Sequence, residues 1–146
     1  MWAITASLVP SLAIAGLSGS ALGSFGIYLF MRVFAGATAS DIRDKDSDQA
    51  AGVITFPVAY GIANTIAGIQ VLNLLSILWV LLAIQLHWLP LPALALLVSN
   101  GLGLRAWNRL RRGRTSCRAV LLLAYLETLT MPLLVAIGAL IAHLAA

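Results

Sequence analysis

Charge is scarce in this sequence. Charged residues make up 10% of the 146 and hydrophobic residues 61%, against about 25% and roughly 45–50% in soluble globular domains. That balance disfavours a soluble enzyme and a disordered tail. Cysteine is almost absent: Cys117 alone can form neither an intrachain disulfide nor a cysteine metal cluster, which disfavours a secreted disulfide scaffold. No Asp, Glu, Lys or Arg occurs between residues 49 and 104. The first charge is Arg32, so the N-terminal stretch lacks the basic start of a signal peptide.

Long apolar runs fill the chain instead. A bilayer core needs about 20 apolar residues per helix. The runs read as one all-α integral membrane domain of about five helices, near 2–18, 21–39, 60–84, 89–107 and 119–143. Ser18, Gly19 and Ser20 break the first two, Pro90 and Pro92 mark a turn, and Pro132 predicts a kink. Strands are disfavoured, because a membrane barrel alternates over about ten residues and these runs are continuous. Six of the nine basic residues lie between Arg105 and Arg118. Flanked by apolar runs, such a cluster reads as a cytoplasmic loop that sets topology rather than as a nucleic-acid surface. It also has the charge to bind anionic lipid or a diphosphate. Two spans separate it from the polar segment 40–57, so both lie on one side, the cytoplasmic one. The location read from this is a bacterial or archaeal inner membrane, or an organelle membrane.

Four of the five acids fall within eight residues: Asp41, Asp44, Asp46 and Asp48. On a helix, about 100° per residue puts Asp44 near 300° and Asp48 near 340° relative to Asp41, with Asp46 on the other side near 140°. Three carboxylates therefore share one face. Their repulsion calls for a counter-charge, and Mg2+ commonly bridges one or two carboxylates to a phosphate group. Lys45, near 40°, can touch the same phosphate, whereas Arg43, near 200°, points away. The spacing equally suits a solvated segment with pairs such as Asp41 to Lys45. A calcium loop beginning at Asp44 fails, because Gln49 and Thr55 stand where it needs glycine and glutamate.

The wider string Asp41-Ile-Arg-Asp44-Lys-Asp-Ser-Asp48-Gln-Ala-Ala-Gly52-Val-Ile-Thr55-Phe-Pro57-Val-Ala-Tyr-Gly61 resembles the second aspartate-rich motif of the UbiA-type membrane prenyltransferases. The resemblance implies half of a bundle of about nine membrane helices. It implies Mg2+ and a prenyl diphosphate held by Asp41, Asp44 and Asp48 as catalytic and metal-binding residues. It further implies transfer of the isoprenyl group to an aromatic or other lipid-precursor acceptor. The family's first acidic motif has no counterpart, since no acid precedes Asp41. Where the family often has Lys or Arg before the Thr-Leu-Pro turn, this chain has Ile54. The resemblance thus implies the C-terminal half of an enzyme, completed by a protein partner supplying the missing helices. The alternatives are a non-catalytic membrane or lipid-binding subunit of a larger complex, and an isoprenoid cyclase of the same superfamily.

Candidate substrate contacts are Lys45, Arg43 and Glu127. Glu127 is the one acid in the last apolar run, able either to orient an acceptor or to bond within the bundle. Arg32 is set about 180° from Asp41 and reads as snorkelling or pairing. Asn64, Gln70, Asn73 and Asn100 read as helix bridges. Gly19, Gly23 and Gly26 permit close packing, within the chain or against a subunit. His87 and His143 read as interfacial, and Trp2, Trp79, Trp88 and Trp107 as packing or interface anchors.

Overall fold

The computed structural model describes residues 18–89, 91–123 and 126. The expected span 2–18 except Ser18, the expected span 119–143 beyond residue 123 except Leu126, and with them Trp2, Pro90, Glu127, Pro132 and His143, lie outside the described residues. All described regular structure is helical. Helix α1 covers Gly19–Ala50, α2 Phe56–Gln85 and α3 Ala95–Arg111, with a 3-10 turn Leu91–Leu94 between the last two. Residues 117–123 are helical again. Helix α1 packs on α2 and α2 on α3, and α1 and α2 are each long and apolar enough to cross a membrane.

The helices outrun the apolar spans that seeded them. Helix α1 has 32 residues, or about 48 Å at 1.5 Å per residue, against about 30 Å of hydrocarbon. Its surplus turns carry all four aspartates. Helix α3 likewise runs on to Arg111, so Arg105, Arg109 and Arg111 lie on helix and not in a loop. Arginine is a good helix former and its long side chain carries its charge away from the axis, so a helix need not stop where charge begins.

Each helix ends in the same way. Val53 N donates to Asp48 O (2.9 Å) and Gly52 N to Gln49 O (3.2 Å), while Arg114 N donates to Arg109 O (2.8 Å) and Gly113 N to Leu110 O (2.9 Å). These are Schellman ends, which need a left-handed residue just past the cap, and Gly52 (φ 71°) and Gly113 (φ 66°) provide it. At the end of α2 the equivalent bonds are Trp88 N to Ala83 O (2.8 Å) and His87 N to Ile84 O (3.0 Å). There the left-handed residue is His87, at φ 57°.

Two apolar clusters hold the bundle, one toward each end. Phe25, Tyr28, Leu29, Val80, Ala83 and Leu96 form one, and Trp79 Nε1 ties α2 to α1 by donating to Ser24 O at 3.0 Å. Ala39, Ile42, Ile66, Trp107, Val120 and Leu121 belong to the other. Between them runs a polar belt. Buried Arg32 donates to Asn73 Oδ1, and Asn73 Nδ2 donates to Ile69 O at 3.0 Å. Ser76 Oγ lies in donating reach of Asn100 Oδ1 (2.5 Å) and Asn73 O (2.8 Å). Gln70 Nε2 bridges to Asn108 Oδ1 at 2.7 Å. The Arg32 guanidinium lies so close to Gly103 that a Cβ there would sit 2.9 Å from Nη2. The glycine contact that matters among the described residues is therefore Gly103. Gly19, Gly23 and Gly26 have open space where a Cβ would stand.

Candidate functional site

Helix α1 has two faces of different use. Taking Asp41 as zero and about 100° per residue, Ile42, Ala35, Ala39 and Arg32 fall between about 100° and 180°, and all four are buried against the bundle. The opposite arc carries Phe30, Phe34, Thr38, Asp41, Asp44, Lys45 and Asp48, all within about 60° of zero. Asp41, Asp44, Lys45 and Asp48 are half-buried, whereas Arg43 and Asp46 are exposed. The carboxylates thus cap a stripe that continues as aromatic side chains along the same helix face.

The turn that follows holds Asp48 from two sides. Its carbonyl accepts the Schellman bond from Val53 N. Its carboxylate oxygen Oδ2 lies 3.5 Å from Thr55 Oγ1, a loose contact in which the hydroxyl donates. Thr55 is the N-cap of α2, and its side chain makes no capping bond there. Pro57 suits the first turn of α2, where its missing N–H costs nothing. Four residues later Gly61 interrupts the helix at φ 79°, ψ 157°, a region open essentially to glycine alone. Asn64 Nδ2 and Thr65 Oγ1 then donate to the carbonyls of Tyr60 (3.0 Å) and Gly61 (2.8 Å) at this break. Both glycines of the motif are thus required by backbone conformation.

The break opens a cleft of about 580 Å³ between α1 and α2, whose walls include Phe34, Thr38, Phe56, Tyr60, Asn64 and Thr65. The rings run in series, Phe30 to Phe34 at 6.4 Å, Phe34 to Phe56 at 5.8 Å edge-on and Phe56 to Tyr60 at 6.1 Å between centroids. Phe30 and Tyr60 are more than 60% exposed, so the cleft is open on one side. These aromatics were not singled out in the sequence. Their signal was there, because Phe30 and Phe34 precede Asp41 by eleven and seven residues, which is the aspartate face.

The electrostatics distinguish the carboxylates. Burial pushes the Asp41 carboxyl above its ordinary value, and the nearby Asp48 and Asp44 charges push it the same way. Asp44 is lowered, chiefly by its hydrogen bonds from Arg43: Arg43 Nε donates to Oδ1 at 2.7 Å and Nη2 to Oδ2 at 2.5 Å. Arg43 thus reaches back to its neighbour although its helical angle points it away. Among the described residues Lys45 pairs with neither Asp41 nor Asp48.

No group of three acidic, histidine or cysteine residues among those described is arranged to hold a metal ion by itself. Helix geometry gives the reason: Asp41 and Asp48 are about 10 Å apart along the axis, too far for one small ion to touch both.

The model of the UbiA prenyltransferase family matches residues 1–129. Neither a curated protein nor a solved structure matches the chain. With nearly the whole sequence inside the match, the chain belongs to the UbiA prenyltransferase family.

Proposed function

We propose that this chain carries out the diphosphate-handling part of Mg2+-dependent isoprenyl transfer from a prenyl diphosphate to an aromatic or other lipid-precursor acceptor. One observation carries the reading: carboxylates and an apolar aromatic cleft lie end to end on one face of α1, matching a charged head joined to a hydrocarbon tail. Asp41, Asp44 and Asp48 hold the metal-bound diphosphate, with Lys45 beside it. Arg43 acts through Asp44, fixing its carboxylate. Phe34, Phe56 and Tyr60 line the path of the prenyl chain and keep water from the reacting carbon. When bound, Mg2+ supplies positive charge against the departing diphosphate. The allylic C–O bond breaks with its electron pair leaving on diphosphate, the acceptor forms the new bond, and the acceptor loses a proton.

The domain crosses the bilayer about five times, with the aspartate end and the arginine turn on the cytoplasmic side. Both features sit at one end of the bundle, where Ile42 shares a cluster with Trp107, Leu110 and Cys117. A first acidic motif comes from helices beyond this sequence, in the same polypeptide or in a partner. Glu127 is assigned to the acceptor side.

Purification of the assembly from its native membrane in mild detergent tests this reading, followed by a transfer assay with labelled prenyl diphosphate. The expected result is transfer that stops with EDTA, from an assembly containing a second acidic motif. Full turnover by the pure 146-residue chain would overturn the half-site part. An assembly without transfer, indifferent to neutralised aspartates, would favour the non-catalytic subunit.

A further inference from the structure

Helix α3 and the helical stretch 117–123 border a second, open cavity that the aspartate site does not use. It measures about 280 Å³ and is walled by Arg105, Arg109 and Thr115 toward the turn and by Leu102, Ala119 and Leu123 on the apolar side. Arg105 and Arg109 are one helical turn apart, so their guanidinium groups reach the same mouth. Among the described residues neither forms an ion pair, and no acid lies between Asp48 and Glu127 in sequence. Leu102 lies about 10 Å further along the helix from Arg109, away from the turn. The cavity therefore has a cationic end at the turn and an apolar length that runs along the helix surface away from it.

That arrangement is made for an anionic amphiphile. A bare anion would leave the leucine floor unused, and a neutral lipid would leave two cations without a counter-charge. Arginine forks match phosphate oxygens in a bidentate way, and the Thr115 hydroxyl adds a donor at the mouth. We propose that Arg105, Arg109 and Thr115 bind the phosphate of an anionic phospholipid whose acyl chain lies along Leu102 and Leu123. This site depends on the membrane placement of the chain and not on prenyl transfer. All six arginines of the cluster are exposed, but only Arg105 and Arg109 line the cavity; Arg111, Arg112, Arg114 and Arg118 meet the membrane surface diffusely.

The test uses the purified assembly in nanodiscs of phosphatidylcholine alone and of phosphatidylcholine with phosphatidylglycerol. Phenylglyoxal modifies accessible arginines, and peptide mass spectrometry reads each position. Phosphatidylglycerol should slow modification of Arg105 and Arg109 by roughly fivefold, the order of the attraction of one basic residue to an anionic surface. Arg112 and Arg114 should change much less. Uniform protection of every arginine would overturn the site in favour of diffuse surface charge. Protection by inorganic phosphate alone, in pure phosphatidylcholine, would overturn the lipid assignment in favour of a free anion. As a second measurement, R105Q/R109Q should retain about tenfold less phosphatidylglycerol in native mass spectrometry than R112Q/R114Q, which removes the same charge. Equal retention by the two double variants would contradict the proposal.

Discussion

Midway along α1, Arg32 is buried, donates to Asn73 and lies against Gly103. Nine residues further along the same helix, Asp41 is half-buried beside Asp44 and Asp48, and its proton is held more tightly than in water. Both regions place ionisable groups in an apolar bundle, but the belt bonds Arg32, Asn73, Ser76 and Asn100 to one another and to helix carbonyls across three helices. The aspartate face does not: its charges repel one another, and only Asp44 has a cation drawn onto it among the described residues. Buried polar groups bonded to each other hold a bundle together. Like charges left facing a cleft raise the free energy of the empty protein and lower it only when a ligand arrives. Stability and binding should therefore respond in opposite senses in the two regions.

The largest stability effect belongs to the belt. Asn73→Ala removes the acceptor of a charge-assisted bond and should cost about 2 kcal/mol, read as a lowered Tm in detergent. Prenyl diphosphate affinity per folded molecule should not change, and a loss of affinity would break the division between the regions. Next comes the cleft: Gly61→Ala forces a side chain into a glycine-only conformation and should cost roughly 1–2 kcal/mol. Because Gly61 shapes the cleft, that variant should lose affinity as well as stability. The end of α2 provides the reverse case, for His87→Gly relieves a left-handed histidine and should raise stability by about 0.5–1 kcal/mol, with binding untouched.

The smallest stability effect is at the aspartates, and its sign is the informative part. Asp41 has a raised pKa in the folded protein, so its ionisation opposes folding. That penalty is absent below the ordinary carboxylate value and complete above the raised one. Asp41→Asn should thus stabilise the metal-free protein near neutral pH by a few tenths of a kcal/mol after solvent screening. As pH falls through the raised value, the wild type should gain the same increment and bind Mg2+ more weakly, since the metal needs the ionised carboxylate. A destabilised Asp41→Asn would mean that the carboxylate is structural.

Much of the architecture was legible because apolar runs and helix periodicity are local signals. The shared face of Asp41, Asp44 and Asp48, with Asp46 turned to solvent, follows from residue spacing alone. Gly52 and Gly61 were legible only as members of a motif; their backbone angles show why each must be glycine. The helical course of Arg105 to Arg111 was hidden because a basic cluster resembles a loop. Gly103 carried no signal at all, since its role depends on Arg32 arriving from another helix 71 positions away. The aromatic cleft fell between the two cases. Phe30 and Phe34 share the aspartate spacing, but Phe56 and Tyr60 reach them only because the turn after Gly52 folds α2 back.

The central claim is that one face of α1 binds a prenyl diphosphate through Mg2+, and equilibrium binding tests it most directly. A non-hydrolysable prenyl thiodiphosphate would be titrated into the purified assembly with Mg2+ and with EDTA, for the wild type and for single Asp→Asn variants. The expected result is binding that requires Mg2+ and falls by about 10–100-fold in Asp41→Asn and Asp48→Asn, the range for loss of a group that tunes a metal site, with Asp46→Asn close to wild type. Binding indifferent to Mg2+, or weakened equally by all the substitutions, would contradict the account.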